Sequence, residues 1–222
     1  MPKHHFFDAG KLHSPAALQI FANVYDNLML ASKEIAIRSV LVCAADPGEG
    51  ATTVALGLAL AATAKQDRPI LLIDGNFHDP CICQALRLKD LFGLGELMSG
   101  RVESYQAVIQ KASAGLHAMG PGIMPANQFI DLEPPKFANL LHRLAEDYHL
   151  VIVDGPAVNL HPESVLFGSQ VDQTLLAVYS GVTRVPVLSK AISKLTAGNC
   201  KRVDILLNRR IFPIPEWIYN KL

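Results

Sequence analysis

The most regular feature of the sequence is a set of short, continuous apolar runs in which polar residues do not alternate. They lie at residues 39–44, 70–74, 150–154, 174–179 and 203–208. Runs of this kind are typical of strands that are covered on both faces, as in a parallel sheet. A shorter apolar run at residues 116–119 predicts one more strand.

Segments with helical spacing of apolar residues separate these runs. They lie at 52–64, 134–147 and 185–196, and an amphipathic segment at 18–28 precedes the first strand. This alternation predicts an α/β fold of three layers, with helices on both faces of a mostly parallel central sheet and right-handed crossovers. We expect one domain over residues 18–210, a flexible segment at 1–17 and a C-terminal tail at 211–222.

Composition narrows the functional classes. The 222 residues include 20 basic and 20 acidic side chains, so the formal net charge is zero, and half of all residues are hydrophobic. This balance excludes a disordered chain and argues against a broad nucleic-acid surface, so we expect no nucleic-acid partner. No apolar stretch is long enough to span a membrane, and four cysteines are too few for a disulfide framework. We therefore expect a cytoplasmic protein.

The turn after the first strand, residues 45–53, has the layout of a phosphate-binding loop: strand, glycine-rich turn, helix. Glycines allow backbone N–H groups to wrap a phosphate, and a helix N-terminus adds a positive dipole. The position of the usual lysine is Ala51, whereas the hydroxyl that would hold Mg²⁺ is present as Thr52. The candidate nucleotide-binding residues in this turn are Gly48, Glu49, Gly50, Ala51, Thr52 and Thr53.

Two further strands end in an aspartate that is followed by glycine, at Asp74 and Asp154. Because the carboxyl ends of parallel strands meet at one edge of a sheet, where ligands bind, these carboxylates and Thr52 are predicted to hold Mg²⁺ if a nucleotide binds. An aspartate before glycine is also a common turn former, and Thr52 and Thr53 also suit helix capping. Both interpretations stay open at this point.

Residues elsewhere in the chain also have side chains that could bind a metal or a partner. His78, Asp79, Cys81 and Cys83 fall within six residues, but this spacing is not that of a standard zinc site, so a loop leading into a helix near Cys81 is the preferred interpretation. Four other histidines are expected at solvated or hydrogen-bonded surface positions: His117, His142, His149 and His161. The tail around Trp217 suits a membrane interface or a partner groove, but we favour its folding back on the domain.

Five motifs occur in one order along the chain: PGEGATT, LLIDGNFHDP, LVIVDGPAV, VDQTLLAVYSGVTR and LLNRR. This order resembles the cytoplasmic tyrosine kinases of bacterial capsule and exopolysaccharide export, which are part of the MinD/ParA-type P-loop ATPases. The resemblance extends over residues 18–210. It implies a P-loop fold, an ATP or ADP ligand with Mg²⁺, and contact of Asn208 with the adenine ring, with Arg209 beside it.

At several positions where this family has a charged residue, the chain has a different residue. Ala51 stands at the lysine, Asn76 stands at the second aspartate of Asp-x-Asp, and His78 and Asp79 stand where an arginine usually follows. The charged positions of the helix that the family uses for ring assembly are Gln19, Ala22 and Tyr25 here. The C-terminal tyrosine cluster is also missing, because Tyr219 is the only tyrosine after Tyr179.

These departures predict a catalytically impaired, kinase-like protein with no confident catalytic residue, in which Asp74 and Asp154 are vestigial. ATP or ADP binding is expected to be weak or absent. The resemblance implies docking on an inner-membrane polysaccharide chain-length or export protein, hence a peripheral position at the inner membrane, as a homodimer or paired with an active homologue. The alternative is an active ATP-binding autokinase in which Arg184, Arg209 or a partner subunit supplies the charge. A ParA-like positioning factor is a third interpretation.

Overall fold

The computed structural model describes residues 12, 14–31, 36–89, 91–123 and 133–209. The helices are α1 (Pro15–Ala31), α2 (Ala51–Thr63), α3 (Ile82–Ala85), α4 (Leu94–Met98), α5 (Pro134–Asp147), α6 (Glu163–Gln170) and α7 (Val185–Ala197), with a 3₁₀ turn at Tyr105–Val108. The strands are β1 (Ser39–Ala44), β2 (Ile70–Asp74), β3 (Ile109–Ser113), β4 (Leu116–Met119), β5 (Leu150–Ala157), β6 (Gln173–Tyr179) and β7 (Val203–Asn208).

The strands form one sheet in the order β3-β4-β2-β5-β1-β6-β7, in which only β3 is antiparallel to its neighbour. The predicted α/β fold with a mostly parallel sheet is therefore confirmed. All six strands predicted from apolar runs are present, and β3 is an addition. Its residues are half-buried or exposed at the sheet edge, so its sequence, which contains Gln110 and Lys111, lacks the apolar run that marks the other strands.

Helices cover both faces of the sheet, which gives the three layers. On one face α5, α6 and α7 bury a cluster that includes Phe137 and Phe167, whose ring centroids are 4.7 Å apart. On the other face α1 and α2 bury a second cluster. β1 shows the division, because Leu41 belongs to the first cluster and its neighbour Val42 to the second. Removing a large buried ring from such a core costs about 3–5 kcal/mol.

Helix α1 contains the predicted helical segment 18–28 and begins three residues earlier, at Pro15. Of the three positions aligned with the ring-assembly charges, Gln19 is exposed and Ala22 half-buried. Tyr25 is 1% exposed, and its hydroxyl lies 3.2 Å from His149 Nε2. This face of α1 therefore packs on the domain at Tyr25 and does not present a charge there.

Strand β7 forms one edge of the sheet and is bonded to β6. Two of its apolar side chains, Ile205 and Leu207, are 47% and 58% exposed. The predicted tail at 211–222, with Trp217 and Tyr219, and residues 1–11 and 13 of the predicted N-terminal segment lie outside the described residues, so the proposed domain boundaries stay predictions. Among the described helices, none has the length and apolar character that a membrane crossing requires.

Candidate functional site

The phosphate loop, defined here as residues 45–50, joins β1 to α2. Gly48 and Gly50 have φ angles of +83° and +93°, a left-handed conformation that favours glycine. The first backbone bond into α2 runs from the Val54 N–H to the Gly50 carbonyl, at 3.0 Å. The N–H groups of Ala51, Thr52 and Thr53 thus lie at the helix N-terminus without intrahelical acceptors. This is the backbone arrangement that binds phosphate.

The side chain of Glu49 braces this loop from inside. It is 6% exposed, and its Oε2 accepts hydrogen bonds from the Ala45 N–H at 2.8 Å and the Asp46 N–H at 3.0 Å. Its Oε1 accepts a hydrogen bond from the Thr183 hydroxyl, in the turn between β6 and α7. Glu49, predicted as a nucleotide-binding residue, is therefore bound to the protein's own backbone through its carboxylate. The sequence signals no such bracing, because it joins positions 134 residues apart.

Asn208 lies against the loop, as the resemblance implies for a residue near the adenine. Its Nδ2 donates a hydrogen bond to the Glu49 carbonyl at 2.9 Å, and a Cβ at Gly50 would collide with the same amide. The neighbouring Arg209 has its guanidinium 5.0 Å from the centroid of the Tyr179 ring, a cation–π contact. Of the two residues predicted for this side of the site, Asn208 contacts the loop, and the side chain of Arg209 contacts Tyr179.

Asp74 and Asp154 stand side by side, because β2 and β5 pair with these two residues in register. Asp74 Oδ2 accepts hydrogen bonds from the N–H groups of Cys81 and Ile82, at 3.1 and 3.0 Å, which ties it to the start of α3. Asp154 is 1% exposed, and neither of its carboxylate oxygens has a hydrogen-bond partner among the described residues. The two aspartates therefore differ: Asp74 is engaged by backbone, and Asp154 is not.

Burial dominates the ionisation of both groups. It raises the pKa of Asp74 to about 6, against the opposing effect of its backbone hydrogen bonds. Burial, and then the charge of Asp74, raise the pKa of Asp154 well above its usual range; the Thr52 hydroxyl opposes this shift without making a hydrogen bond of ordinary geometry. Burial and the same two carboxylates raise the pKa of the Cys81 thiol to about 12. A divalent cation would relieve this concentration of buried negative charge.

Oxygen donors of this kind fit Mg²⁺. The carboxylate of Asp154 and the hydroxyl of Thr52 are the groups suited to hold the ion. Asp74 has its oxygens occupied by N–H groups and would act on the ion through water. When bound with a nucleotide, Mg²⁺ would neutralise phosphate charge. No ion pair among the described residues joins a lysine or arginine to Asp46, Glu49, Asp74 or Asp154.

The loop after β2 uses Asn76 as a turn former. Its Oδ1 accepts hydrogen bonds from the N–H groups of His78 and Asp79, at 3.3 and 3.2 Å. Its amide stands where the family has a carboxylate, and its oxygen is held by the backbone. The group cannot take up a proton as an aspartate does.

The histidine of this loop meets partners that its local sequence did not indicate. His78 lies with His161 and Glu163, from the segment after β5, and the ligand atoms of the three residues are all within 4.8 Å of one another. We call this group the His–Glu cluster. The predicted neighbours Asp79, Cys81 and Cys83 are not part of it. His161, expected at a solvated or hydrogen-bonded surface position, is half-buried and stacked on His78.

The comparisons with known proteins agree with this geometry. No family model matches the chain. The tyrosine-protein kinase YwqD of Bacillus subtilis (strain 168) is 27% identical over 188 residues, which cover 85% of this chain and 79% of YwqD. Among solved structures, the chimerical protein CapA2B2 has a TM-score of 0.80 at 27% identity and covers 90% of this chain and 87% of its own.

Two further structures support the fold. The kinase domain of the Escherichia coli tyrosine kinase ETK has a TM-score of 0.83 at 23% identity, with 92% of this chain and 81% of that chain covered. A ParA family ATPase from Chlorobium tepidum TLS has a TM-score of 0.60 at 19% identity, with 83% and 79% covered. The chain is thus similar to bacterial tyrosine kinases, and its strand order and phosphate loop are those of the fold that it shares with ParA-type ATPases.

Proposed function

We propose that this chain is a catalytically impaired, kinase-like protein that acts as a regulatory or scaffolding partner in bacterial exopolysaccharide or capsule biosynthesis and export. The observation that carries the proposal is a phosphate loop with an intact backbone and no cation. Gly48 and Gly50 hold the loop open for phosphate, and α2 presents its N-terminus. Ala51 supplies a methyl group where the related kinases have lysine.

The missing charge has a large energetic effect. A charge-assisted hydrogen bond to a phosphate contributes about 1.5–3 kcal/mol. Loss of about 3–4 kcal/mol weakens binding by a few hundred-fold. It also removes positive charge from the place where a phosphoryl-transfer transition state concentrates negative charge. Asp46, half-buried at the start of the loop, adds a carboxylate to the same region.

The second loss concerns proton transfer. Asn76 replaces a carboxylate and holds the N–H groups of His78 and Asp79. An amide cannot accept the proton of a substrate hydroxyl. Binding and chemistry are thus impaired by two substitutions in different loops, which favours a non-catalytic role over a rearranged enzyme.

The proposed partners follow from the resemblance. We infer that the chain docks on an inner-membrane polysaccharide chain-length or export protein and pairs with itself or with an active homologue across the face that carries the phosphate loop. Self-assembly through α1 in the manner of the ring-forming kinases is disfavoured, because Gln19 and Ala22 carry no charge and Tyr25 is buried.

The decisive experiment is calorimetric titration of Mg-ATP and Mg-ADP into the wild type and Ala51→Lys. Ala64→Lys, which adds the same charge at the exposed C-terminal end of α2, is the matched control. We expect no measurable binding by the wild type or the control, and micromolar binding by Ala51→Lys. Micromolar binding by the wild type would overturn the proposal. If that binding were lost in Arg209→Ala, the alternative of an ATP-binding autokinase with a substitute arginine would take its place.

A further inference from the structure

The His–Glu cluster gathers three metal-binding side chains from two loops. His78 follows β2, and its Nε2 lies 2.9 Å from Glu163 Oε1. His161 and Glu163 lie where the chain passes from β5 to α6. The two imidazole rings stack with centroids 3.6 Å apart and an angle of 19° between their planes.

Glu163 is the member of the cluster that points most directly to a ligand. Its side chain is 4% exposed, so its carboxylate has little access to water. Oε1 contacts His78, but Oε2 has no hydrogen-bond partner among the described residues. A buried carboxylate oxygen without a partner is costly, and a cation bound beside it would remove that cost.

We propose that His78, His161 and Glu163 form a binding site for one zinc ion or a similar first-row divalent cation. Two imidazole nitrogens and one carboxylate oxygen are a donor set that zinc uses, and a set of three leaves a fourth position open to water. The donor set is nitrogen-rich, which distinguishes it from the oxygen donors suited to Mg²⁺ at Asp154 and Thr52.

The ligand atoms are close enough for one ion after side-chain rotation. Bonds of about 2.0–2.1 Å place the ligands of a tetrahedral zinc roughly 3.3 Å apart. The three atoms lie within 4.8 Å of one another, so the largest separation must close by about 1.5 Å. The ring nitrogen lone pairs of the two stacked imidazoles lie in nearly parallel planes, with the ring centroids 3.6 Å apart, so one imidazole has to turn for both to point at one ion. His78, whose side chain is 34% exposed, has room to do so.

The position of this site gives it a consequence for the loops that form it. β2 and β5 are neighbours in the sheet; Asp74 ends β2, and Asp154 lies beside it in β5, three residues before that strand ends. An ion held by His78 and by the His161–Glu163 segment would fasten the two following loops to each other. The site shares no ligand with the magnesium donors named above, so it stands whether or not the chain binds a nucleotide.

The test uses the full chain after treatment with a chelator, titrated with zinc chloride at neutral pH. We expect one equivalent of zinc to bind, with affinity weakened at least about tenfold in His161→Ala and in Glu163→Gln. His142→Ala removes an exposed histidine from α5, and Cys83→Ser removes a thiol from α3, the short helix that follows the β2 loop. These two matched controls are expected to bind as the wild type does.

A variant at a partly exposed ligand and a cobalt(II) spectrum distinguish the loss of a ligand from misfolding. His78→Ala removes a partly exposed ligand and opens no cavity in the core, so it is expected to fold and to lose zinc affinity. Cobalt(II) in place of zinc is expected to give the visible bands of a four-coordinate nitrogen–oxygen site, without the thiolate charge-transfer band of a cysteine ligand. Unchanged zinc affinity in His161→Ala and His78→Ala, or loss of binding in Cys83→Ser, would overturn the proposal.

Discussion

The phosphate loop and the His–Glu cluster both follow strands of the same sheet. They differ in whether the backbone or the side chains supply the groups that could bind a ligand. The loop keeps its backbone geometry through Gly48, Gly50 and the N-terminus of α2, but its position 51 has no charge. The cluster needs no left-handed backbone, and its candidate ligand atoms all belong to side chains. Backbone geometry follows from glycines and a packed helix, and it survives substitution of the side chains that perform chemistry. Fold and activity are therefore separable at this edge of the sheet.

The largest expected effect is on nucleotide binding at the phosphate loop, with zinc binding at the His–Glu cluster unchanged. In Ala51→Lys, Mg-ATP at 100 times its dissociation constant is expected to raise the free energy of unfolding by about 2.7 kcal/mol, because the ligand binds the folded state alone. The wild type is expected to show no such rise. Zinc affinity is expected to be equal in both proteins, since the cluster does not include residue 51. Thermal unfolding with each ligand in turn measures this, and a change of zinc affinity in Ala51→Lys would contradict the separation.

The next effect concerns the buried carboxylates in the absence of metal. The pKa of Asp154 is raised in the folded state, so the folded protein retains a proton that the unfolded chain has released. Stability from this group is therefore present below the unfolded pKa, about 4, and is lost as pH rises toward the folded pKa. Asp154→Asn does not titrate, so its stability relative to the wild type is expected to improve with rising pH, by about 2 kcal/mol at neutral pH.

Urea unfolding in EDTA across pH 4 to 7 measures this difference. The difference is expected to grow steadily across this window, because the folded wild type keeps the Asp154 proton that the unfolded chain has released. Asp204→Asn, at an exposed position of β7, is the control. A difference between Asp154→Asn and wild type that stays constant with pH would show that this carboxylate does not link protonation to folding.

A smaller effect tests how tightly the loop is held. Gly48→Ala and Gly50→Ala both force a side chain into left-handed backbone, which costs about 1–2 kcal/mol each. Only at Gly50 does the added Cβ collide with the amide of Asn208. Gly50→Ala is therefore expected to be the more destabilising by about 1 kcal/mol in urea unfolding. Equal losses would mean that Asn208 adjusts without cost.

The smallest effect isolates the bond between Asn208 and the loop. Asn208→Ala removes the hydrogen bond to the Glu49 carbonyl and is expected to lower the free energy of unfolding by about 1 kcal/mol. Asn139→Ala, at an exposed position of α5, is the matched control and is expected to change it little. If both variants were equally stable, the loop would not depend on this contact.

The sequence predicted the parts of this fold that depend on local pattern. The buried strands are apolar throughout because helices cover both of their faces, so their runs are visible without knowledge of the topology. β3 escaped prediction because it is an edge strand with polar residues. The helix predicted near Cys81 is present as α3, whereas the short α4 has too few residues for a periodic pattern to register.

The candidate site was predictable only where its residues follow a motif. Gly48, Gly50 and Thr52 stand at fixed positions around the turn, and Asp74 and Asp154 each close a continuous apolar run. Bracing by Glu49 and the meeting of His78 with His161 depend on contacts between segments far apart in the chain. One signal did exist: each histidine follows an Asp-Gly pair that closes an apolar run, and the two runs form neighbouring strands.

The open edge at β7 has a mechanical consequence for the phosphate loop. Asn208 is the last residue of that edge strand, and its side chain holds the Glu49 carbonyl. Ile205 and Leu207 leave apolar surface on the same strand. A partner that binds this surface and shifts the end of β7 is therefore expected to move the loop as well, because Asn208 is hydrogen-bonded to the Glu49 carbonyl. The position of the phosphate loop is therefore coupled to the position of the sheet edge through the side chain of Asn208.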